Sequence, residues 1–137
     1  MPYEIVTTAD VHRFRLFGVF TARDMIDFMA AVEVEEGRFT SNLPRVIEVL
    51  DVTGVEVDFQ LMLRSAQRRQ KIVSNTLKSA IVAVTEVQFG FARMWQSLCA
   101  DSKTIVEIFP TVADALAWIR APGFESPAKR WPGPAVR

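Results

Sequence analysis

Pro44-Arg45-Val46-Ile47-Glu48-Val49-Leu50-Asp51-Val52-Thr53-Gly54-Val55-Glu56-Val57-Asp58 is the stretch on which the fold turns. Val46–Leu50 is a short apolar run with a proline before it and turn-forming residues after it, the signature of a buried strand. Asp58 then stands where a helix begins, and its short carboxylate can accept an otherwise unpaired amide hydrogen. Phe59, Met62, Leu63, Ala66 and Val73 follow at helical spacing. A strand, a short connection and an amphipathic helix form one half of a crossover unit, and the rest of the chain repeats that grammar.

Upstream, Tyr3–Thr7 and Val11–Phe20 read as two strands joined by Thr8-Ala9-Asp10, a hairpin. Thr21-Ala22-Arg23-Asp24 opens a helix with a capping-box pattern. Ala22, Met25, Ile26, Met29 and Val32 form its stripe, and Gly37 ends it. Downstream, Ser79–Val84 is a near-continuous apolar strand. Gln88–Ala100 is a helix with Phe91, Trp95, Leu98 and Cys99 on one side. Thr104–Phe109 is the fifth strand. Thr111-Val112-Ala113-Asp114 opens a last helix that turns Val112, Ala115, Leu116 and Ile119 inward.

The order β-β-α-β-α-β-α-β-α predicts an α/β domain over residues 1–120 with a five-stranded mixed, mostly parallel sheet. Crossovers between parallel strands are right-handed, so strands lying in sequence order put their helices mainly on one face. Side-chain alternation along each strand assigns the faces. Phe14, Leu16, Phe20, Ile47, Val49, Ile81, Ala83, Val106 and Ile108 make a wholly apolar face, fit for a helical cover. Arg13, Arg15, Phe17, Val19, Val46, Glu48, Val82, Val84, Ile105, Glu107 and Phe109 make a mixed one, where Arg13 or Arg15 can pair with Glu48. With no helix left for that second face, its apolar residues predict a homodimer. Residues 121–137 hold four of the seven prolines and are expected to form an extended or disordered tail, whose Phe124 and Trp131 can dock on the domain or on a partner.

At Leu50–Asp58 the chain resembles the STAS domains, the SpoIIAA-type anti-sigma-factor antagonists, in which a strand ending in Leu-Asp-Leu-Ser-Gly leads into a helix beginning Asp-Ser-Ser-Gly. Over about residues 3–120 it looks more like the bacterial SpoIIAA-like proteins, whose fold also resembles the CRAL-TRIO lipid-binding domains. Val87-Gln88-Phe89-Gly90-Phe91-Ala92-Arg93-Met94, Val106–Phe109 and Ala115-Leu116-Ala117-Trp118-Ile119 extend the likeness. The resemblance implies a small binding or interaction module, and for SpoIIAA-like proteins a hydrophobic small molecule or a membrane surface as partner. It does not carry the phosphoserine switch across. Asp58 matches the aspartate, but Phe59 stands where the acceptor serine would be and Gln60 follows it. Thr53 is the hydroxyl left nearby.

Composition narrows the chemistry. The 137 residues carry 16 basic and 16 acidic side chains, one Cys and one His. The even balance gives no whole-molecule field that would draw nucleic acid, and none is expected as a partner. One Cys excludes an internal disulfide and a multi-Cys zinc site. No metal or cofactor is expected. Cys99 sits on an apolar helical stripe and His12 begins a strand, so both read as structural rather than as a nucleophile and its base. The start, MPYEIVTTAD, does not read as a signal peptide, and no apolar run nears the roughly 20 residues that span a bilayer. The expected location is the cytoplasm, with peripheral membrane attachment as a variant.

The candidate ligand-binding residues are Asp51, Thr53, Asp58, Phe59, Glu86 and Arg93. Asp51 and Glu86 each follow a parallel strand, at the end where α/β sheets collect ligands. Asp58 opens a helix near them, and Arg93 is placed to reach these acids or an acidic ligand head. Asp51, Asp58 and Glu86 are also the residues a small enzyme would use. Each has a simpler role: a turn bond for Asp51, a helix cap for Asp58, solvation for Glu86. Arg64, Arg68 and Lys71 form an exposed basic stripe, a contact for a membrane or an anionic partner, or an ordinary wetted helix face. Met25, Phe28, Met29, Met62, Phe89 and Met94 suit an adaptable apolar space between helices. The leading expectation is a non-enzymatic module that works by protein contact or by holding a small hydrophobic ligand.

Overall fold

The computed structural model describes residues 2–39 and 42–125. The element order is β1 (Tyr3–Thr7), β2 (His12–Thr21), α1 (Ala22–Glu36), β3 (Arg45–Glu56), α2 (Phe59–Ile72), β4 (Leu77–Val82), α3 (Glu86–Leu98), β5 (Thr104–Phe109) and α4 (Val112–Arg120). One sheet runs β1-β2-β3-β4-β5. β1 is antiparallel to β2 and the other three pairings are parallel.

Each helix starts on a side-chain cap. The Thr21 hydroxyl accepts from the Asp24 amide at 3.2 Å while the Asp24 carboxylate accepts from the Thr21 amide at 3.0 Å. Asp58 accepts from the Leu61 amide at 2.8 Å and Thr111 from the Asp114 amide at 3.1 Å. Thr85 and Gln88 form a second reciprocal box. That box starts α3 at Glu86, two residues before the expected Gln88. Such caps satisfy amide hydrogens that the first turn leaves unpaired.

The face assignment by alternation holds. Phe14, Leu16, Phe20, Val49, Ile81, Ala83 and Val106 lie in one buried cluster, with Ile47 and Ile108 packed on it. This cluster also takes Met25, Phe28 and Val32 of α1, Leu61 and Met62 of α2, and Ala92 of α3. The three crossover helices therefore share that face.

Two expectations are corrected. The second face is not without a helix. α4 follows the last strand, so no crossover binds it to the first face, and it packs on the other. Its Ala115 and Trp118 form a second core with Val46, Ala80, Val82 and Phe109. Lys78 fastens it, donating to the carbonyls of Trp118 at 2.6 Å and Ala121 at 2.7 Å, where the helix end favours positive charge. Val19 and Val84 stay exposed. The chain after α4 begins by turning back, with the Trp118 indole donating to the Glu125 carbonyl at 2.9 Å. Trp131 and the remaining tail lie outside the described residues.

The second correction concerns Asp51–Glu56, expected as a connection and found as strand. β3 gains one residue on β2 between Glu48 and Asp51, and another between Val52 and Gly54. Each bulge flips the alternation, so Val49, Val52 and Val55 all turn to the first core. A strand with two phase slips looks irregular to a period-2 reading.

Candidate functional site

At the carboxyl ends of the strands Asp51 and Asp58 have structural partners, and Thr53 and Glu86 face solvent. Asp51 lies within β3 and is held by Arg15 at 2.6 Å, with Arg15 also reaching Glu4 at 3.5 Å. Thr53 is an exposed residue of β3, and Glu86 is exposed in the first turn of α3. Asp58 caps α2, and Phe59 follows it half-exposed. Arg93 does not turn to the acids: its guanidinium donates to Gln96 at 2.8 Å. Glu48 is paired with Arg13 at 2.7 Å, one of the two expected partners. Among the described residues no group of acids, His and Cys is placed to hold a metal ion. Burial pushes the Cys99 thiol up to about 11, so it stays protonated at neutral pH.

Arg64, Arg68 and Lys71 are exposed on α2 as expected. Arg68 is engaged in a fork with Glu33 of α1, at 2.6 and 2.7 Å. Among the described residues no helix is long and apolar enough to cross a membrane.

The chemistry the sequence reading missed lies at the opposite end of the sheet. His12 and Arg45 open β2 and β3 and stand in register with Ser79 of β4. All three point to the α1–α3 layer, by the alternation that buries Phe14, Ile47 and Ile81. α1 runs back to this end and delivers Glu36, and α2 delivers Arg69. Glu36 binds Arg69 at 2.5 and 2.7 Å and Arg45 at 2.5 Å. All of them are buried. Burial works to raise the Glu36 carboxyl, but the two guanidiniums outweigh it and hold the group below the ordinary carboxylate range. Burial pulls Arg45 down, to about 10, and it remains charged at neutral pH.

His12 is fully buried and shares a 2.8 Å hydrogen bond between its Nδ1 and the Thr7 hydroxyl. Its Nε2 has no hydrogen-bond partner among the described residues. Burial first, and then the Arg45 charge, hold His12 below its ordinary 6.5, so the ring is neutral at pH 7.

Between this polar row and the helices is a cavity of about 60 Å³. Its walls are Phe14, Leu16, Ile47, Val49 and Ile81 from the sheet, Met25, Phe28, Met29 and Val32 from α1, and Phe91, Ala92 and Trp95 from α3. Arg45, Arg69, Ser79 and Thr104 close its polar end. Of the six Met and Phe residues expected to line such a space, Met25, Phe28 and Met29 do. Met62 is core and Met94 is exposed on α3.

An uncharacterised DUF3478-family protein from Shewanella loihica PV-4, known from its crystal structure and described as having a SpoIIAA-like fold, superposes with a TM-score of 0.60. The match covers 85% of this chain and 91% of that one, at 19% sequence identity. The fold is SpoIIAA-like. No protein-family model and no curated protein matches the sequence. In this SpoIIAA-like domain Asp58 caps α2, and the cavity lies between the sheet and the α1–α3 layer. Arg69 and Glu36 were legible as candidates from spacing alone. Arg69 falls in phase with Met62 and Ala66, and Glu36 with Met25, Met29 and Val32, so each is a charge on an apolar stripe.

Proposed function

We propose that this SpoIIAA-like chain is a binding module that holds a small hydrophobic molecule between its sheet and the α1–α3 layer, and does not transform it. The observation that supports this reading is the cavity itself. It is bounded by apolar side chains from two helices and three strands, and methionines on α1 can re-pack around a guest. Among the described residues no nucleophile–base pair stands at the wall; Asp51 is held by Arg15, Asp58 caps α2, and Glu86 is exposed in the first turn of α3.

The test is a titration with hexanoate and with hexan-1-ol, read by the methyl resonances of Met25 and Met29. Saturable shifts of both methyls with at least one probe support the reading. Ala92→Leu, which fills the space, should abolish the shifts without altering the far-ultraviolet circular dichroism. Unsaturable response to both probes refutes it.

For protein contact the candidate is the part of the second face that α4 leaves bare, where Val6, Val19 and Leu50 are exposed beside the Glu4–Arg15–Asp51 ladder. A light-scattering mass of two chains supports a homodimer there. A mass of one chain at every concentration speaks against it.

A further inference from the structure

We propose that the cavity selects an amphipathic monocarboxylate, with the carboxylate seated on Arg45 and Ser79 and the apolar chain running up between the sheet and α1. The inference rests on the binding-module reading and names the ligand class for it.

Three observations carry it. First, the buried charges do not balance. Two guanidiniums, Arg45 and Arg69, face one carboxylate, Glu36. The neighbouring ion pairs, Arg38 with Glu35 and Arg68 with Glu33, close on themselves. One positive charge is left without a carboxylate of its own: besides Glu36, Arg45 meets among the described residues only the Leu43 carbonyl at 3.1 Å and the Phe14 ring, and a buried charge so placed favours an added anion. Second, the spare donors are at the cavity. Arg45 is 4% exposed and Ser79 is 1% exposed, and both belong to the wall. Arg45 Nε and Ser79 Oγ have no hydrogen-bond partner among the described residues. A buried N–H without an acceptor has lost its water and gained nothing in return. Third, the two sit side by side, since Arg45 and Ser79 are register partners on adjacent parallel strands. Two donors a strand apart suit the two oxygens of one carboxylate.

The rest of the wall sets what the anion is attached to. Phe28, Met29, Ile81 and Trp95 offer no polar atom within the cavity apart from the Trp95 indole, so the remainder of the ligand is apolar. A second charged group would lie against these side chains unpaired. That argues against dicarboxylates, amino acids and sugar phosphates. The cavity of about 60 Å³ has the volume of about two waters, so the α1 methionines must re-pack before a six-carbon chain can enter.

The experiment compares hexanoate with hexan-1-ol, equal in length and differing in the head, by calorimetry and methyl spectra at pH 7.5 on the full chain. Hexanoate is expected to bind at least tenfold more tightly. Ser79→Ala, a small change in a packed position, should weaken hexanoate several-fold and leave hexan-1-ol unchanged. Arg45→Met should abolish the preference, with circular dichroism checking that the variant is folded. Equal binding of acid and alcohol overturns the anion proposal and leaves the cavity reading standing, with water satisfying the spare donors. Binding of neither overturns both. Tighter binding of hexanedioate than of hexanoate overturns the monocarboxylate assignment.

Discussion

Glu36→Gln isolates what holds α1 and α2 to the start of the sheet. The substitution keeps the shape and removes the one negative charge between Arg45 and Arg69. Breaking a buried ion pair from one side costs about 3–5 kcal/mol, because the partner is left charged in a poor solvent. For a chain of this size each kcal/mol moves the melting midpoint by roughly 3–4 °C, so the expected fall is roughly 10–20 °C. Replacing the whole group, with Glu36→Leu, Arg45→Met and Arg69→Met together, should recover most of that loss. Apolar side chains of like volume need no desolvation, and such replacements are often neutral or stabilising by about 1–4 kcal/mol. The assay is thermal and urea unfolding followed by circular dichroism at pH 7.5. A single variant melting within about 2 °C of the parent, or a triple variant falling as far as the single one, would refute the reasoning.

Gln88→Leu removes a buried amide that donates to the Leu50 and Val52 carbonyls and accepts from the Val84 and Thr85 amides. Those carbonyls lie where β3 has run past its pairing with β4, so the variant should lose about 2–4 kcal/mol in urea unfolding. His12 gives a pH dependence. Its folded pKa is depressed, so the unfolded state takes up the proton first. Stability should therefore fall as the pH drops from about 7.5 through the ordinary value of 6.5, and His12→Gln should flatten the urea midpoint between pH 7.5 and 5.5. Glu36 adds a separate acid limb: its contribution is present above the ordinary carboxylate value and is lost as the pH falls through its depressed folded one. Asp58→Ala should cost about 1 kcal/mol as a lost cap, whereas Asp51→Asn, in an exposed pair, should barely move the melting midpoint.

Most of the architecture was written in period and capping. Alternation sorted β2, β3, β4 and β5 into two faces, and Thr21 and Asp58 marked helix starts, because both signals depend on neighbours in sequence. What escaped depends on pairing between distant segments. The bulges in β3 exist only relative to β2, so Asp51–Glu56 looked like a turn. α4 took the far face because no later strand constrains it, and nothing in Val112–Arg120 names the face it covers. The polar cluster was missed for a different reason. The rule that α/β sheets bind ligands at their carboxyl ends drew notice to Asp51 and Glu86. Yet Arg45 shares the alternation of Ile47 and Val49, Ser79 that of Ile81 and Ala83, and His12 that of Phe14 and Leu16. Carrying the face assignment one step toward the amino end of each strand would have put all three inside.

The position of α4 also bears on how the chain comes off the ribosome. Every partner of the α1–α3 layer has been made once β5 emerges, so that side can close early. Val46, Ala80, Val82 and Phe109 must wait, bare, for Trp118 to be synthesised. Until α4 docks, that strip is the kind of exposed apolar surface that chaperones grip.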